Sequence, residues 1–136
     1  MLEWSDKFST GVPEIDAQHQ ELFRQVNRLL EACMQGGGKH LLPEIFDFLG
    51  KYALEHFATE ERYMTRYAYP KLAEHKKVHE DFVQTFLDFR KKAETEGSGV
   101  NLVVQVNRTL VDWLKNHILG MDQEMGRFLQ GAMGKK

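Results

Sequence analysis

The chain has 136 residues, 42% of them hydrophobic, with 18 Lys and Arg against 20 Asp and Glu for a formal net charge of -2. That length suits one domain with one good core. The near-balanced charge, with basic clusters that are short, such as Arg90-Lys91-Lys92 and Lys135-Lys136, excludes the electrostatic footprint of a nucleic-acid binder.

The single cysteine, Cys33, leaves no internal disulfide and reads as a small buried hydrophobe. The opening Met1-Leu2-Glu3-Trp4-Ser5-Asp6 has no basic region followed by an apolar run, so it is not expected to be a signal peptide. No stretch approaches the roughly 20 apolar residues of a membrane span. The expectation is a soluble cytoplasmic protein.

Residues 1–15 read as an N-terminal arm. Gly11 and Pro13 break any helical periodicity, while Trp4, Phe8, Val12 and Ile15 are apolar enough to lie against the body. Asp16 is placed to cap a first helix from Ala17 to Gln35, whose stripe is His19, Leu22, Phe23, Val26, Leu29, Leu30 and Cys33. Gly36-Gly37-Gly38 stops it. These glycines are not a phosphate-binding loop, because Lys39 is followed by His40 and no strand precedes; His40 reads as surface. A second helix runs from Leu42, with Pro43 in its first turn, to Tyr67, facing inward with Ile45, Phe48, Leu49, Tyr52, His56, Glu60 and Tyr63. Pro70 marks the next boundary.

The third helix, Lys71 to Thr95, has the cleanest stripe: Leu72, His75, His79, Phe82, Phe86 and Phe89, with polar residues between. Gly97-Ser98-Gly99 turns the chain into a fourth helix, Val100 to Leu119, with Val103, Val106, Leu110, Trp113, Leu114 and His117 inward. Gly120 is a possible interruption before Asp122, and a final helical stretch carries Met125, Phe128 and Leu129. The pattern predicts an all-α fold. Residues 1–136 form one domain, an antiparallel up-down-up-down four-helix bundle over 16–122 with the arm before it and a short helical extension, 123–136, after it.

Five histidines and two carboxylates interrupt these apolar stripes: His19, His56, Glu60, His75, His79, His117 and Asp122. Positions four apart share a helical face, which pairs His56 with Glu60 and His75 with His79. Across the second hairpin, His56 with His79 and Glu60 with His75 share one midpoint, between Tyr67 and Ala68, where Ala68, Tyr69 and Pro70 independently place the turn. His19 begins the first helix and His117 ends the fourth, so in this topology all seven reach one layer. Unpaired, the buried carboxylates would cost several kcal/mol each. A metal site is expected.

The donor set then narrows the chemistry. Imidazole suits iron, zinc, copper and nickel, but five imidazoles with two carboxylates exceed one tetrahedral zinc and suit two metals with bridging carboxylates. No cysteine is available for structural zinc or iron–sulfur ligation. Neither H-E-x-x-H nor the Glu-x-x-His of carboxylate-rich di-iron bundles occurs. Fewer anionic oxygens stabilise high-valent iron less, which favours reversible binding over oxidase chemistry.

Several segments together resemble the hemerythrin family, in particular its single-domain bacterial members. They are Gly11-Val12 with Ile15-Asp16-Ala17-Gln18-His19, then His56-Phe57-Ala58-Thr59-Glu60-Glu61, then His75-x-x-x-His79, then His117-Ile118 with Asp122. The resemblance implies two iron ions, cycling between ferrous and ferric, joined by an oxo or hydroxo bridge and binding O2 reversibly. By that analogy His75, His79 and His117 hold one iron, and His19 and His56 hold the other, which keeps an open position. Glu60 and Asp122 bridge the pair. An apolar pocket is expected beside the open position, lined by Leu114 and Ile118, with Trp113 flanking and Phe23 and Phe57 as further candidates. Oxygen storage, transport or delivery is the expected role, by a monomer that is not an enzyme and passes O2 to an unidentified acceptor. An O2- or NO-responsive sensor and a peroxidase-like di-iron enzyme are the alternatives.

Overall fold

A computed structural model describes residues 3–34, 38–96 and 100–134. The helices are α1 (Pro13–Met34), α2 (Gly38–Arg66), α3 (Leu72–Glu96), α4 (Val100–His117) and α5 (Gln123–Gly134), and no strand occurs among the described residues. The first four run up, down, up and down, as the stripes predict. Gly36, Gly37 and the Gly97-Ser98-Gly99 turn lie outside the described residues, as do the side chains of Leu29, Leu30, Cys33, His40, Ile45 and Val103.

The first helix starts earlier than the sequence reading places it. Pro13 occupies its first turn, where a fixed φ and a missing N–H cost nothing, and the Asp16 N–H donates to the Val12 carbonyl at 2.9 Å. Asp16 is therefore not the cap but lies within α1. Its carboxylate reaches back to the arm, accepting from the Thr10 N–H at 2.8 Å, the Thr10 hydroxyl at 2.7 Å and the Ser9 hydroxyl at 2.7 Å. The second helix likewise begins at Gly38 rather than Leu42. Phe48, expected inward, is 40% exposed and stacks on Tyr52 instead.

The α2–α3 turn closes as a Schellman motif. The Tyr69 N–H donates to the Met64 carbonyl at 2.8 Å and the Ala68 N–H to the Thr65 carbonyl at 3.3 Å. That geometry puts Ala68 at φ 54°, a left-handed conformation where glycine is the usual residue.

Between α4 and α5 the helix axis does not break. Ile118–Asp122 form a single π-helical turn, and the Gln123 N–H donates to the Ile118 carbonyl five residues back. The anticipated interruption at Gly120 is thus a widened turn, of the kind often found at functional sites.

Two apolar clusters stack along the bundle. The larger joins Phe8, Leu22, Phe23, Val26, Leu49, Phe57, Phe82, Leu110, Leu114 and Ile118, among others. The smaller joins Val12, Ile15, Met64, Tyr69, Met125 and Leu129 near the α2–α3 turn. α5 closes this end, with Met125 and Leu129 fully buried. The arm crosses α5 at Gly126, where a Cβ would stand 2.2 Å from the Thr10 carbonyl oxygen. Along the helices the seven polar residues lie where the two clusters join, with Phe57 and Ile118 of the larger cluster among them.

Candidate metal centre

All seven polar residues meet in one layer, and none is more than 5% exposed. α1 brings His19, α2 brings His56 and Glu60, and α3 brings His75 and His79. His117 is the last residue of α4, and Asp122 the last of the π turn. In a regular α-helix, residues five apart lie about 140° apart around the axis. The extra residue of the π turn returns Asp122 to the face of His117, and the His117 Nε2 to Asp122 Oδ1 distance is 3.0 Å.

The two carboxylates sit at the middle. Glu60 lies 3.3 Å from His19 Nε2, 2.9 Å from His56 Nε2, 3.2 Å from His75 Nε2 and 2.9 Å from His79 Nε2. Asp122 lies 3.0 Å from His19 Nε2 and 2.9 Å from His75 Nε2. Donor atoms within 4.8 Å of one another form two sets: Glu60, His75, His79, His117 and Asp122, and His19, His56, Glu60 and Asp122. Both carboxylates belong to both sets.

These short contacts are mostly not hydrogen bonds. His19 Nε2, His79 Nε2, His117 Nε2, Glu60 Oε2 and both Asp122 oxygens have no aligned hydrogen-bond partner although fully buried. Each such orphan costs about 1–3 kcal/mol if nothing meets it. The atoms crowd together without pointing at one another, as donors do when they converge on an ion. With metal–donor bonds of about 2.1 Å, neighbouring donors of an octahedral ion stand about 3.0 Å apart, close to the spacings observed. The cluster is able to hold metal, and its nitrogen and oxygen donors fit iron.

The chain also matches known proteins. Residues 10–129 match the family model described as "Hemerythrin HHE cation binding domain".

The chain belongs to the hemerythrin family.

Bacteriohemerythrin of Stenotrophomonas maltophilia is 33% identical over 125 residues, covering 90% of this chain and 78% of that one. Bacteriohemerythrin of Clostridium acetobutylicum is 32% identical over 127 residues, covering 91% and 98%. A wild-type hemerythrin crystal structure superposes with a TM-score of 0.84 at 32% identity, covering 95% of this chain and 98% of that one.

Behind the hemerythrin centre stand partners that the sequence stripes do not reveal. His56 Nδ1 lies 2.7 Å from Gln18 Oε1, and the Gln18 amide donates to the Thr59 hydroxyl at 3.1 Å, which donates to the Glu55 carbonyl at 3.0 Å. His79 Nδ1 lies 3.0 Å from Glu61 Oε2. An Nδ1–H held in this way leaves the Nε2 lone pair facing the centre. In the sequence Gln18 and Glu61 stand only as members of two motif segments, beside His19 and Glu60. Tyr63, expected to be core, is half-buried and its hydroxyl donates to Glu14 at 3.0 Å, away from the centre.

Charge is held tightly in the layer. Burial pushes His19 and His75 down, but the Asp122 and Glu60 carboxylates outweigh it and raise them to about 10 and about 9. Burial pushes Glu60 up, yet the surrounding histidines, His56 first, hold it well below the usual carboxylate range. Asp122 is likewise held low by His117 and His19, against burial and the Glu60 charge.

Next to the layer is an apolar cavity of about 20 Å³ lined by Leu22, Val26, Leu49, Ala53, Phe57, Phe82, Leu110, Trp113 and Leu114. Its volume is enough for about one water molecule. Trp113, Leu114 and Phe57 line it; Phe23 and Ile118 are not among its walls. Phe23 packs against Trp4 and Phe8 of the arm, at ring distances of 5.5 and 5.1 Å. Ile118 is fully buried in the same core. Leu22 was overlooked as a pocket residue, although it stands one turn beyond His19. Two walls also touch ligand-type rings: Phe57 stacks on His79 at 4.0 Å and Trp113 on His117 at 4.4 Å.

Proposed function

We propose that this hemerythrin-family chain binds two iron ions and, through them, O2 reversibly, for storage, transport or delivery in the cytoplasm rather than for catalysis. The observation that carries the proposal is the division of the buried donors into a set of five and a set of four that share Glu60 and Asp122. His75, His79 and His117 complete the first position, and His19 and His56 the second. The second position has one protein donor fewer than the first, and it is there that O2 would bind. Held by these seven residues, two ferrous ions would supply the two electrons that reversible O2 binding needs.

The chain supplies placement and dryness. Gln18 and Glu61 orient His56 and His79, so that each presents a lone pair and no proton. Glu60 and Asp122 offset the positive charge of both ions in a layer without water access. Leu22, Phe57, Trp113 and Leu114 form apolar walls that keep solvent protons from the bound gas. With five imidazoles to two carboxylates, the centre is poor in the anionic donors that stabilise high-valent iron, which supports binding over oxidation of a substrate.

The test is stoichiometric. Protein loaded anaerobically with ferrous iron should take up one O2 per chain carrying two irons, by oxygen electrode, and return it when the oxygen pressure is lowered. Continuous O2 consumption in the presence of a reductant would mean an enzyme instead.

A further inference from the structure

The two donor sets differ in what stands behind their histidines. Behind His56 is a neutral amide: Gln18, 2.7 Å from Nδ1 and itself anchored on Thr59. Behind His79 is a carboxylate: Glu61 Oε2, 3.0 Å from Nδ1. Every residue of the two sets is 5% exposed or less, whereas the Glu61 side chain is 26% exposed. It lies in a cleft of about 330 Å³ between α2 and α3, whose walls include Leu54, Phe57, Lys76, His79 and Glu80. The imidazole of His79 is therefore fixed on three sides. Phe57 stacks flat on its face, with 11° between the planes, Glu61 takes its Nδ1 edge, and Nε2 looks inward at Glu60 Oε1, 2.9 Å away.

An anionic acceptor on the outer nitrogen of a metal-bound imidazole does two things. It fixes the tautomer, as an amide would, and it also pushes electron density onto the inner nitrogen, which an amide does far less. We propose that Glu61 is a positioning residue that acts through His79, strengthening it as a donor and making the five-donor position the tighter metal site of the two. The proposal rests on the two-metal reading above. It adds an electronic difference between the positions to the difference in donor number, and traces it to a group that reaches solvent through the α2–α3 cleft.

The test uses Co2+ as probe under anaerobic conditions, so that its result does not depend on O2 binding. Wild-type chain, Glu61→Gln, Glu61→Leu and Glu80→Gln are titrated with Co2+ and followed by visible absorption, with helicity of each metal-free variant checked by circular dichroism. Glu61→Leu removes the acceptor and should weaken one of the two Co2+ ions by about 10–100-fold. Glu61→Gln keeps an acceptor without the charge and should restore part of that affinity. In the iron-loaded protein it should move the midpoint potential to a more positive value, because less charge is donated. Glu80→Gln removes an acid from the same cleft without touching His79 and should leave both affinities as in wild type. Equal affinities in wild type and Glu61→Leu, or an equal loss in Glu80→Gln, would overturn the assignment of Glu61 while leaving the two-metal centre standing. A wild-type chain that binds fewer than two Co2+ would overturn the centre itself.

Discussion

Glu60→Gln is the substitution to which the centre should be most sensitive at the least cost in shape. Glu60 is fully buried, and its oxygens lie within 3.3 Å of the Nε2 atoms of His19, His56, His75 and His79. It belongs to both donor sets. Glutamine fills the same volume, but its NH2 cannot ligate, so one of the two positions loses a donor. Structural sites with four ligands bind zinc with about 10–16 kcal/mol near neutral pH, so one donor carries on the order of 3–4 kcal/mol. That converts to roughly 10²–10³-fold in affinity. The variant, loaded with ferrous iron and dialysed, should retain about one iron per chain by elemental analysis where the wild type retains two, and metal-free circular dichroism should show the helices intact. Two irons per chain with unchanged affinity would show that Glu60 does not serve both positions, and the shared-carboxylate argument would fall.

Three further outcomes concern the α2–α3 turn, the contact of the arm with α5, and the protonation of the centre. Ala68→Gly removes the left-handed strain in the α2–α3 turn, so thermal melting should show a gain of about 1 kcal/mol, or a few degrees in Tm, with metal content unchanged. Gly126→Ala drives a Cβ to 2.2 Å from the Thr10 carbonyl and should cost about 1–3 kcal/mol by displacing the arm, whereas Gly120→Ala, with nothing within 4 Å of the new atom, should melt within about 1 kcal/mol of wild type. In the metal-free protein, His19 and His75 are raised from 6.5 to about 10 and about 9, so the stability they contribute is complete below pH 6.5 and is lost as pH rises through those values. Thermal melts should therefore show Tm falling between about pH 6.5 and 10 with chelator present. They should stay nearly flat with metal bound, where the inner nitrogens carry no proton.

The order of the helices and the seven residues of the layer were readable because burial leaves a periodic signature. A histidine at a position where its neighbours at three and four residues are leucine or phenylalanine must point inward, and helix length and turn chemistry then set the level. The start of α1 is hidden because Gly11 and Pro13 both read as breakers, although proline is favoured in a first helical turn. Phe48 lies at the edge of its stripe: α2 is covered at that level, where Leu49 is buried, but Phe48 is turned far enough round the helix to be 40% exposed. The π turn had a trace in the five-residue spacing of His117 and Asp122, which no α-helical face accommodates. Periodicity read at 3.6 residues per turn cannot register a single inserted residue. The roles of Gln18 and Glu61 are not legible for a different reason: each acts on a histidine of another helix, 38 and 18 positions away, so those roles exist only in the packed bundle.

The central claim is reversible O2 binding at a two-iron centre, and optical cycling tests it most directly. Protein holding two ferrous ions per chain should develop a visible absorption band on exposure to O2, lose it on deoxygenation, and recover it at full intensity over repeated cycles. A band that forms once and decays to an inert ferric spectrum, or no band at all from protein shown to carry two irons, would contradict the account.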